Sequence, residues 1–451
     1  MQRETLGSRL GFILLSAGCA IGIGNVWKFP YMVGQHGGGA FVLIYLFFLL
    51  VMGVPTLTME FAMGRAARKS PVLLYQQLEK PGHKWHVHGG VAMIGNWLLM
   101  MFYTVVSGWM LHYFVTMATG GFEGADVARV KAIMDEMLAS PGTLVFYMVI
   151  TVVMGFLVCS LGVQGGVERI TKWMMLALLV IMVVLAANSV FLPGAEAGLT
   201  FYLKPDLDRL REVGLGNTIV GAMNQSFFTL SLGIGSMAIF GSYLEKKRSL
   251  MGEAVNVAVL DTFVAFTSGL IIFPACFAYG VQPDSGPNLI FITLPNIFNN
   301  IPMGRLWGSL FFVFLAFAAL STVLAVFENI IACTMDLFPI SRRKACIVCC
   351  VLMILLSLPC ALGFNLLSGV QPMGAGSTIM DLEDFIVSNL LLPGGSLVMV
   401  LFCVSRYGWG WENFLREANE GMGLKVARWM RPYMTFVLPA LVLVILIMGL
   451  V

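Results

Sequence analysis

Long runs of apolar residues recur along the chain and are separated by short polar segments. Since a helix needs about 20 apolar residues to cross the hydrocarbon layer of a bilayer, the pattern predicts an all-α integral membrane protein with eleven transmembrane helices. The predicted spans are 9–33, 38–64, 89–119, 142–161, 166–191, 216–244, 252–279, 304–337, 344–364, 379–404 and 430–451.

Composition supports a membrane protein and excludes several other classes. Of the 451 residues, 58% are hydrophobic and 11% are charged, whereas a soluble domain has about 25% charged residues. A soluble enzyme or nucleic-acid binder is therefore not expected, and the net charge of +3 indicates no polyanionic partner. Cys346, Cys349 and Cys350 have a suggestive spacing, but no second Cys/His pair completes a metal site.

The basic residues predict the orientation of the chain. With the N-terminus inside, the cytoplasmic segments hold twenty Lys and Arg residues and the outer segments hold six. Because Lys and Arg accumulate in cytoplasmic loops, we expect the N-terminus inside and the C-terminus outside, in the inner (plasma) membrane of the cell.

Two predicted spans carry helix-weakening residues in mid-membrane. Span 1 contains SAGCAIGIGNVWKFP (16–30) and span 6 contains NQSFFTLSLGIGSM (224–237). Glycine weakens a helix by about 1 kcal/mol relative to alanine, and unwound backbone is tolerated in a membrane only where it lines a cavity. These glycines would alternatively permit close helix packing, but two such segments at corresponding positions favour unwinding.

The positions of the two segments predict an internal repeat. Spans 1 and 6 begin two successive five-span blocks, residues 1–191 and 216–404, and a last helix follows at 430–451. Because each block has an odd number of spans, the second block enters the membrane from the opposite side. This is the inverted-topology repeat of many secondary transporters.

Four motifs carry a family resemblance: AGCAIGIGNVWKFP (17–30), GGGAF (37–41) leading to MEFAMGR (59–65), FFTLSLGIG (227–235) and ALST (319–322). With them the chain resembles the neurotransmitter:sodium symporter family, in particular its bacterial amino-acid transporters. The resemblance implies a 5+5 inverted-repeat fold with helices 1 and 6 unwound at mid-membrane, and two bound sodium ions. It implies a first sodium site from Ala20, Asn25, Thr229 and Asp261, and a second from Gly18, Ile21, Ala318, Ser321 and Thr322.

Asp261 departs from the asparagine that many relatives carry at this position. An ionisable residue in mid-membrane is a functional hypothesis by default, and span 7 holds no basic residue to pair with it. The alternative is a protonated or Arg-paired structural aspartate. Chloride-dependent relatives have a hydroxyl-bearing residue four positions later, where this chain has Ala265. We expect Asp261 to supply the negative charge itself, so that transport needs no chloride.

The resemblance also implies a substrate pocket. Backbone N–H groups at the breaks, with the Tyr103 hydroxyl, would hold a carboxylate, and an apolar subsite without charge favours a neutral, hydrophobic or aromatic L-amino acid. The same apolar residues also suit ordinary helix packing. The implied pocket residues are Ala20, Gly22, Gly24, Leu99, Tyr103, Phe228, Thr229, Ser231, Ile234, Thr322 and Val326.

Gates on both sides are implied as well. On the outer side Lys28 would face Asp384 through water, below a lid of Tyr103 and Phe228, and on the inner side Arg3 would pair with Asp336. Both basic residues would alternatively anchor lipid headgroups. Glu60 is expected to accept hydrogen bonds from an unwound segment, whereas Glu328 has no assigned role. A proline that relatives often carry in span 5 is absent from this chain, which has Leu176 near that position.

These features predict a sodium-coupled symporter working by alternating access, as a monomer or weak oligomer without a nucleic-acid partner. A transporter of another small zwitterion or amine, or a sodium-dependent sensor, is the alternative. A channel would need a ring of charges or a filter repeat, and an intramembrane enzyme would need a nucleophile with a base. Neither is evident in the chain.

Overall fold

The computed structural model describes residues 6–280 and 288–450, and these residues are almost entirely helical. Within these two ranges the only β-structure is a pair of isolated bridges, Gly38 with Pro205 and Arg248 with Met422. The main helical segments are α1 (Arg9–Ala20), α2 (Gly24–Gln35), α3 (Gly39–Ala67), α4 (Val87–Ala118), α5 (Pro141–Ser160), α6 (Val163–Val190), α7 (Leu215–Phe228), α8 (Ser236–Ser242), α9 (Leu250–Ala278), α10 (Gly304–Leu337), α11 (Arg342–Leu362), α12 (Ile379–Val404) and α13 (Arg428–Met448).

Nine of these segments in the described part of the chain are long and apolar enough to span a membrane. The bent pair of α1 and α2, which meet at 58°, adds a tenth span. The predicted span 216–244 corresponds to α7 and α8, which have 14 and 7 residues and are each too short to cross alone. The all-α character is therefore observed, while the count of eleven spans and the repeat boundaries stay predictions.

The break between α7 and α8 follows from local backbone geometry. Ser231, Gly233 and Gly235 all have positive φ angles, of 51°, 105° and 76°. Glycine adopts this left-handed region without a steric penalty, and a Cβ at Gly233 would also collide with the Leu392 carbonyl. The helix therefore cannot continue through this segment.

Burial differs strongly between helices. α10 is buried along most of its length and packs against α1, α4 and α6. In contrast, large apolar side chains such as Phe47, Leu157 and Phe436 are exposed on α3, α5 and α13. Such an exposed apolar surface suits contact with lipid. The two helix breaks, in contrast, lie among the buried residues of the bundle.

Candidate functional site

The first break and the second break meet at a buried carboxylate. The Asn25 Nδ2 atom donates to Asp261 Oδ1 at 2.8 Å and to Thr229 Oγ1 at 3.1 Å, and the Thr229 hydroxyl donates to Asp261 Oδ2 at 2.9 Å. All three side chains are buried. The structure thus brings together three of the four residues predicted for the first sodium site, and the fourth, Ala20, lines the adjoining cavity.

This cluster has the chemistry of a site for a hard cation. Unwound backbone carbonyls and oxygen-bearing side chains are the groups that bind Na⁺ in broken-helix transporters. Asn25 Oδ1 accepts from the Gly22 N–H at 3.3 Å, and a half-turn of the amide would present this oxygen to the cluster instead. The Asp261 carboxylate would then present one full negative charge to a bound cation.

A second group of oxygens lies between α1 and α10. The Ser321 hydroxyl donates to the Ala318 carbonyl at 2.8 Å and to the Ile21 carbonyl at 3.3 Å. The Thr322 hydroxyl lies 3.3 Å from the Gly18 carbonyl. All five residues predicted for the second sodium site are therefore neighbours, and they provide oxygens without a formal charge.

The α1–α2 break supplies one more oxygen than the sequence analysis predicted. The Cys19 carbonyl lies 3.4 Å from the Thr322 hydroxyl and 3.2 Å from the Ser231 hydroxyl. It therefore joins the second oxygen group to the α7–α8 break. The helical pattern alone did not indicate which carbonyls turn inward.

A cavity of about 360 Å³ adjoins both breaks. Ligand pockets typically enclose about 300–1,000 Å³, so it is large enough for a small molecule. Eight of the residues predicted for the substrate pocket line it: Ala20, Gly22, Gly24, Leu99, Tyr103, Phe228, Ser231 and Thr322. The sequence analysis missed the lining residues Ile23, Trp27, Tyr31, Phe102, Val106, Met380, Asp381 and Leu392.

The three other predicted pocket residues do not line this cavity. Thr229 belongs to the Asp261 cluster, whereas Ile234 and Val326 are buried and are not among the residues that line the cavity. Val326 lies one helical turn beyond Thr322 on α10. A substrate side chain would contact Ile234 or Val326 only if the wall residues moved.

Tyr103 and the glycines shape the cavity at the first break. The Tyr103 hydroxyl accepts from the Ile23 N–H at 3.1 Å, rather than from Gly22 or Gly24. A Cβ at Gly22 would lie 2.5 Å from this hydroxyl, and a Cβ at Gly24 would lie 2.7 Å from the Phe228 ring. Both glycines are therefore required for the aromatic side chains to approach the backbone.

The predicted outer gate residues share the cavity but do not pair directly. The Lys28 ammonium lies 3.6 Å from the centroid of the Phe228 ring, a distance typical of a cation–π interaction. Asp384 accepts from the Ser388 hydroxyl at 2.7 Å. The described ion pairs include none between Lys28 and Asp384, although both residues line the same cavity.

The predicted inner gate lies partly outside the described residues, because Arg3 is not among them. Its predicted partner Asp336 accepts from the Ser70 N–H at 2.8 Å. Glu328, which had no assigned role, forms a part-buried ion pair with Arg342, in which the carboxylate is buried and the Arg342 side chain is 15% exposed, and it accepts from the Tyr243 hydroxyl at 2.7 Å. These contacts tie α10 to α11 and to the residue that follows α8.

Glu60 on α3 contacts the start of α8. Its Oε1 atom accepts from the Met237 N–H at 3.3 Å, and both residues are fully buried. The first N–H groups of a helix have no partner within the helix. The carboxylate therefore satisfies backbone that the break leaves free, as the sequence analysis expected.

Comparison with known proteins decides the family. The model of the sodium:neurotransmitter symporter family matches residues 3–125 and 122–451. The chain belongs to this family. It is 35% identical over 395 residues to an uncharacterized sodium-dependent transporter of Bacillus subtilis, covering 88% of this chain and 86% of the relative. An uncharacterized sodium-dependent transporter of Haemophilus influenzae is 31% identical over 463 residues, which cover 100% of this chain and 98% of that relative.

A solved structure supports the same family. The crystal structure of MhsT in complex with L-phenylalanine matches with a TM-score of 0.88 at 36% identity, covering 99% of this chain and 100% of MhsT. The predicted transporter fold of the symporter family is therefore confirmed. The chain is a multi-pass, sodium-dependent membrane transporter and not an enzyme.

Proposed function

We propose that this symporter couples the entry of sodium ions to the uptake of a neutral, hydrophobic or aromatic L-amino acid. The observation that carries the proposal is that the Asn25–Thr229–Asp261 cluster adjoins the cavity, because Gly24 and Phe228, the chain neighbours of Asn25 and Thr229, line it. A cation bound there would neutralise Asp261 and attract the carboxylate of the substrate. Sodium and substrate would then bind cooperatively at one place.

Two features support an amino-acid substrate. The backbone at the α1–α2 break, together with Tyr103, offers polar groups to a carboxylate, and half-helix N-termini favour such anions. The rest of the wall is mainly apolar and aromatic, including Leu99, Phe102 and Val106. MhsT holds L-phenylalanine in its crystal structure, which is consistent with a large apolar side chain.

We propose two sodium ions with different electrostatic roles. The first would use Ala20, Asn25, Thr229 and Asp261, and the second would use Gly18, Ile21, Ala318, Ser321 and Thr322. A site with a carboxylate holds a cation more strongly in a low-dielectric interior than a site of neutral oxygens. The first ion would therefore bind before the substrate and order the cavity.

Chloride independence follows from the charge of Asp261. The carboxylate lies directly in the proposed sodium site, so the ion needs no mobile anion as a partner. Ala265, one turn further along α9, is buried and has no hydroxyl to bind chloride. The proposal therefore includes sodium-coupled uptake that continues when chloride is replaced.

Alternating access would convert binding into transport. The bundle of α1–α3 and α7–α9 would rock against the remaining helices, with Lys28, Phe228, Tyr103 and Asp384 closing the outer side. Arg3 and Asp336 would close the inner side. The driving force is the sodium gradient with the membrane potential, which is worth about 2.3 kcal/mol per charge per 100 mV.

Topology and assembly are part of the same proposal. Residues 1–191 and 216–404 would form the two inverted repeats, and 430–451 a separate last helix. The N-terminus would face the cytoplasm and the C-terminus the outside of the inner (plasma) membrane, in a monomer or weak oligomer. The excess of Lys and Arg in the predicted cytoplasmic segments supports this orientation.

Uptake into proteoliposomes tests the proposal. All twenty amino acids would be offered under an inward sodium gradient, with gluconate replacing chloride in a parallel series. We expect sodium-driven accumulation of large neutral amino acids in both series. Uptake of none of the twenty amino acids, accumulation only of small or charged amino acids, or uptake that stops without chloride would each contradict a stated part of the proposal.

A further inference from the structure

Asn96 on α4 uses its full hydrogen-bonding capacity around the α7–α8 break. Its Nδ2 atom donates to the Ile234 carbonyl at 2.7 Å and to the Ala92 carbonyl at 2.7 Å. Its Oδ1 atom accepts from the Ser236 hydroxyl at 2.9 Å and from Asn329 Nδ2 at 3.0 Å. A side-chain amide has two donors and two lone pairs, so every one is occupied.

The contacts lie on both sides of a left-handed turn. Ile234 precedes Gly235, which has a φ of 76°, and Ser236 follows it as the first residue of α8. Asn96 and Asn329 are buried, at 1% and 0% exposure. An unsatisfied polar group at such a depth costs about 1–3 kcal/mol. The Asn96 amide therefore holds the broken backbone to α4 and α10.

The residue before Asn96 fits the same segment. A Cβ at Gly95 would lie 2.9 Å from Ile234 Cγ2 and 3.4 Å from Leu391 Cδ1. The Ile234 side chain thus packs directly on the bare backbone of α4. Leu99, one turn further along α4, lines the cavity, and so does Leu392, which follows Leu391. Ile234 therefore packs beside the stretches of α4 and α12 that carry the wall residues Leu99 and Leu392.

We propose that Asn96 is a positioning residue that sets the depth of the side-chain subsite and thereby the preference for large apolar substrates. It acts through Ile234: the hydrogen bond fixes the carbonyl, Gly95 admits the side chain, and together they support Leu99 and Leu392. This inference rests on the proposed amino-acid transport. Substrates with small side chains do not reach this wall and are insensitive to its position.

The test compares binding of L-phenylalanine and L-alanine to the full-length chain in detergent with sodium present. Asn96→Leu keeps the number of side-chain heavy atoms and the branching at Cγ but lacks all four hydrogen bonds. We expect the affinity for L-phenylalanine to fall about tenfold relative to that for L-alanine, which corresponds to the loss of about one buried hydrogen bond. Ser236→Ala, which removes one contact of the network, should shift the same ratio about threefold.

Thr104→Val is the matched control. Thr104 is also buried on α4, but its hydroxyl contacts the Met100 carbonyl and Ser357 rather than the break. We expect its ratio of affinities to equal that of the unaltered chain. A sodium affinity retained by Ser236→Ala shows that the first sodium site is intact.

Each outcome has a distinct meaning. If the unaltered chain binds no amino acid, the proposed function fails. Suppose instead that the unaltered chain binds L-phenylalanine, and that Asn96→Leu and Ser236→Ala each lower the affinities for L-phenylalanine and L-alanine by the same factor. Asn96 then has only a structural role, and the inference is overturned. If Asn96→Leu does not fold, the ratio measured for Ser236→Ala decides: an unchanged ratio overturns the inference, and a shifted ratio supports it.

Discussion

The Asn25 side-chain nitrogen lies 2.8 Å from Oδ1 of Asp261, so an amide from the first helix break contacts a carboxylate from α9. None of the ion pairs among the described residues involves Asp261, which is fully buried. A buried carboxylate without a basic partner is costly in a membrane. A bound cation would remove that cost.

Removing this charge should weaken sodium binding. Asp261→Asn preserves the size of the side chain but leaves the cluster neutral. Because hydrogen bonds and contacts to a charged group contribute about 1.5–3 kcal/mol, we expect sodium affinity to fall about tenfold to hundredfold. Sodium titration of substrate binding measures the effect. Asp208→Asn is the control, since Asp208 is exposed and pairs with Arg211. Equal sodium affinities in both variants would refute the site.

The second oxygen group should affect sodium dependence more mildly. Thr322→Val removes a hydroxyl close to the Gly18 and Ile21 carbonyls. Since one neutral ligand contributes about 1 kcal/mol, we expect sodium affinity to fall about fivefold and the sigmoidal sodium dependence of uptake to flatten. Thr151→Val, at a buried threonine whose hydroxyl donates to the Tyr147 carbonyl in its own helix, should leave the curve unchanged. A curve identical to that of the unaltered chain would argue against two ions.

The contact between Lys28 and Phe228 should slow the escape of substrate. Phe228→Leu keeps an apolar side chain but removes the ring face under the ammonium group. A cation–π interaction contributes about 0.5–2 kcal/mol, so we expect dissociation of radiolabelled substrate to be about 3–30 times faster. Phe146→Leu, at a residue exposed on the outer surface of α5, serves as the control. Dissociation at the original rate would exclude this ring from the lid.

The ion pair of Glu328 and Arg342 should contribute to stability. Breaking a buried ion pair by removing one partner typically costs about 3–5 kcal/mol, so Glu328→Gln should lower the midpoint of thermal unfolding markedly. The exposed pair of Arg305 and Glu123 gives the control, because Glu123→Gln should cost less than about 1 kcal/mol. Similar midpoints for the two variants would show that the part-buried pair of Glu328 and Arg342 is not stabilising.

The sequence allowed the helices and their breaks to be predicted for physical reasons. The thickness of the membrane fixes the length of the apolar runs, and Gly233 and Gly235 mark the place where the backbone leaves the helix. Asn25 and Asp261 are far apart in the chain, and only the resemblance to a family indicated that they meet. Composition alone did not predict that contact.

The details that the sequence analysis missed depend on rotation and packing. Which N–H meets Tyr103 depends on the exact turn at the break, where Ile23 rather than Gly22 points to the hydroxyl. The pair of Glu328 and Arg342 joins α10 to the start of α11. The spacing of hydrophobic residues along the chain predicts neither the Ile23–Tyr103 contact nor the Glu328–Arg342 pair, since both depend on how neighbouring helices are oriented.

Binding of L-phenylalanine as a function of sodium tests the central claim most directly. The unaltered chain would be titrated with sodium gluconate at constant ionic strength, with potassium replacing sodium. Because linkage is reciprocal, a shared site predicts that sodium raises the affinity for L-phenylalanine and that Asp261→Asn shifts this increase to sodium concentrations about tenfold to hundredfold higher. An affinity for L-phenylalanine that is the same in sodium and in potassium would contradict the account.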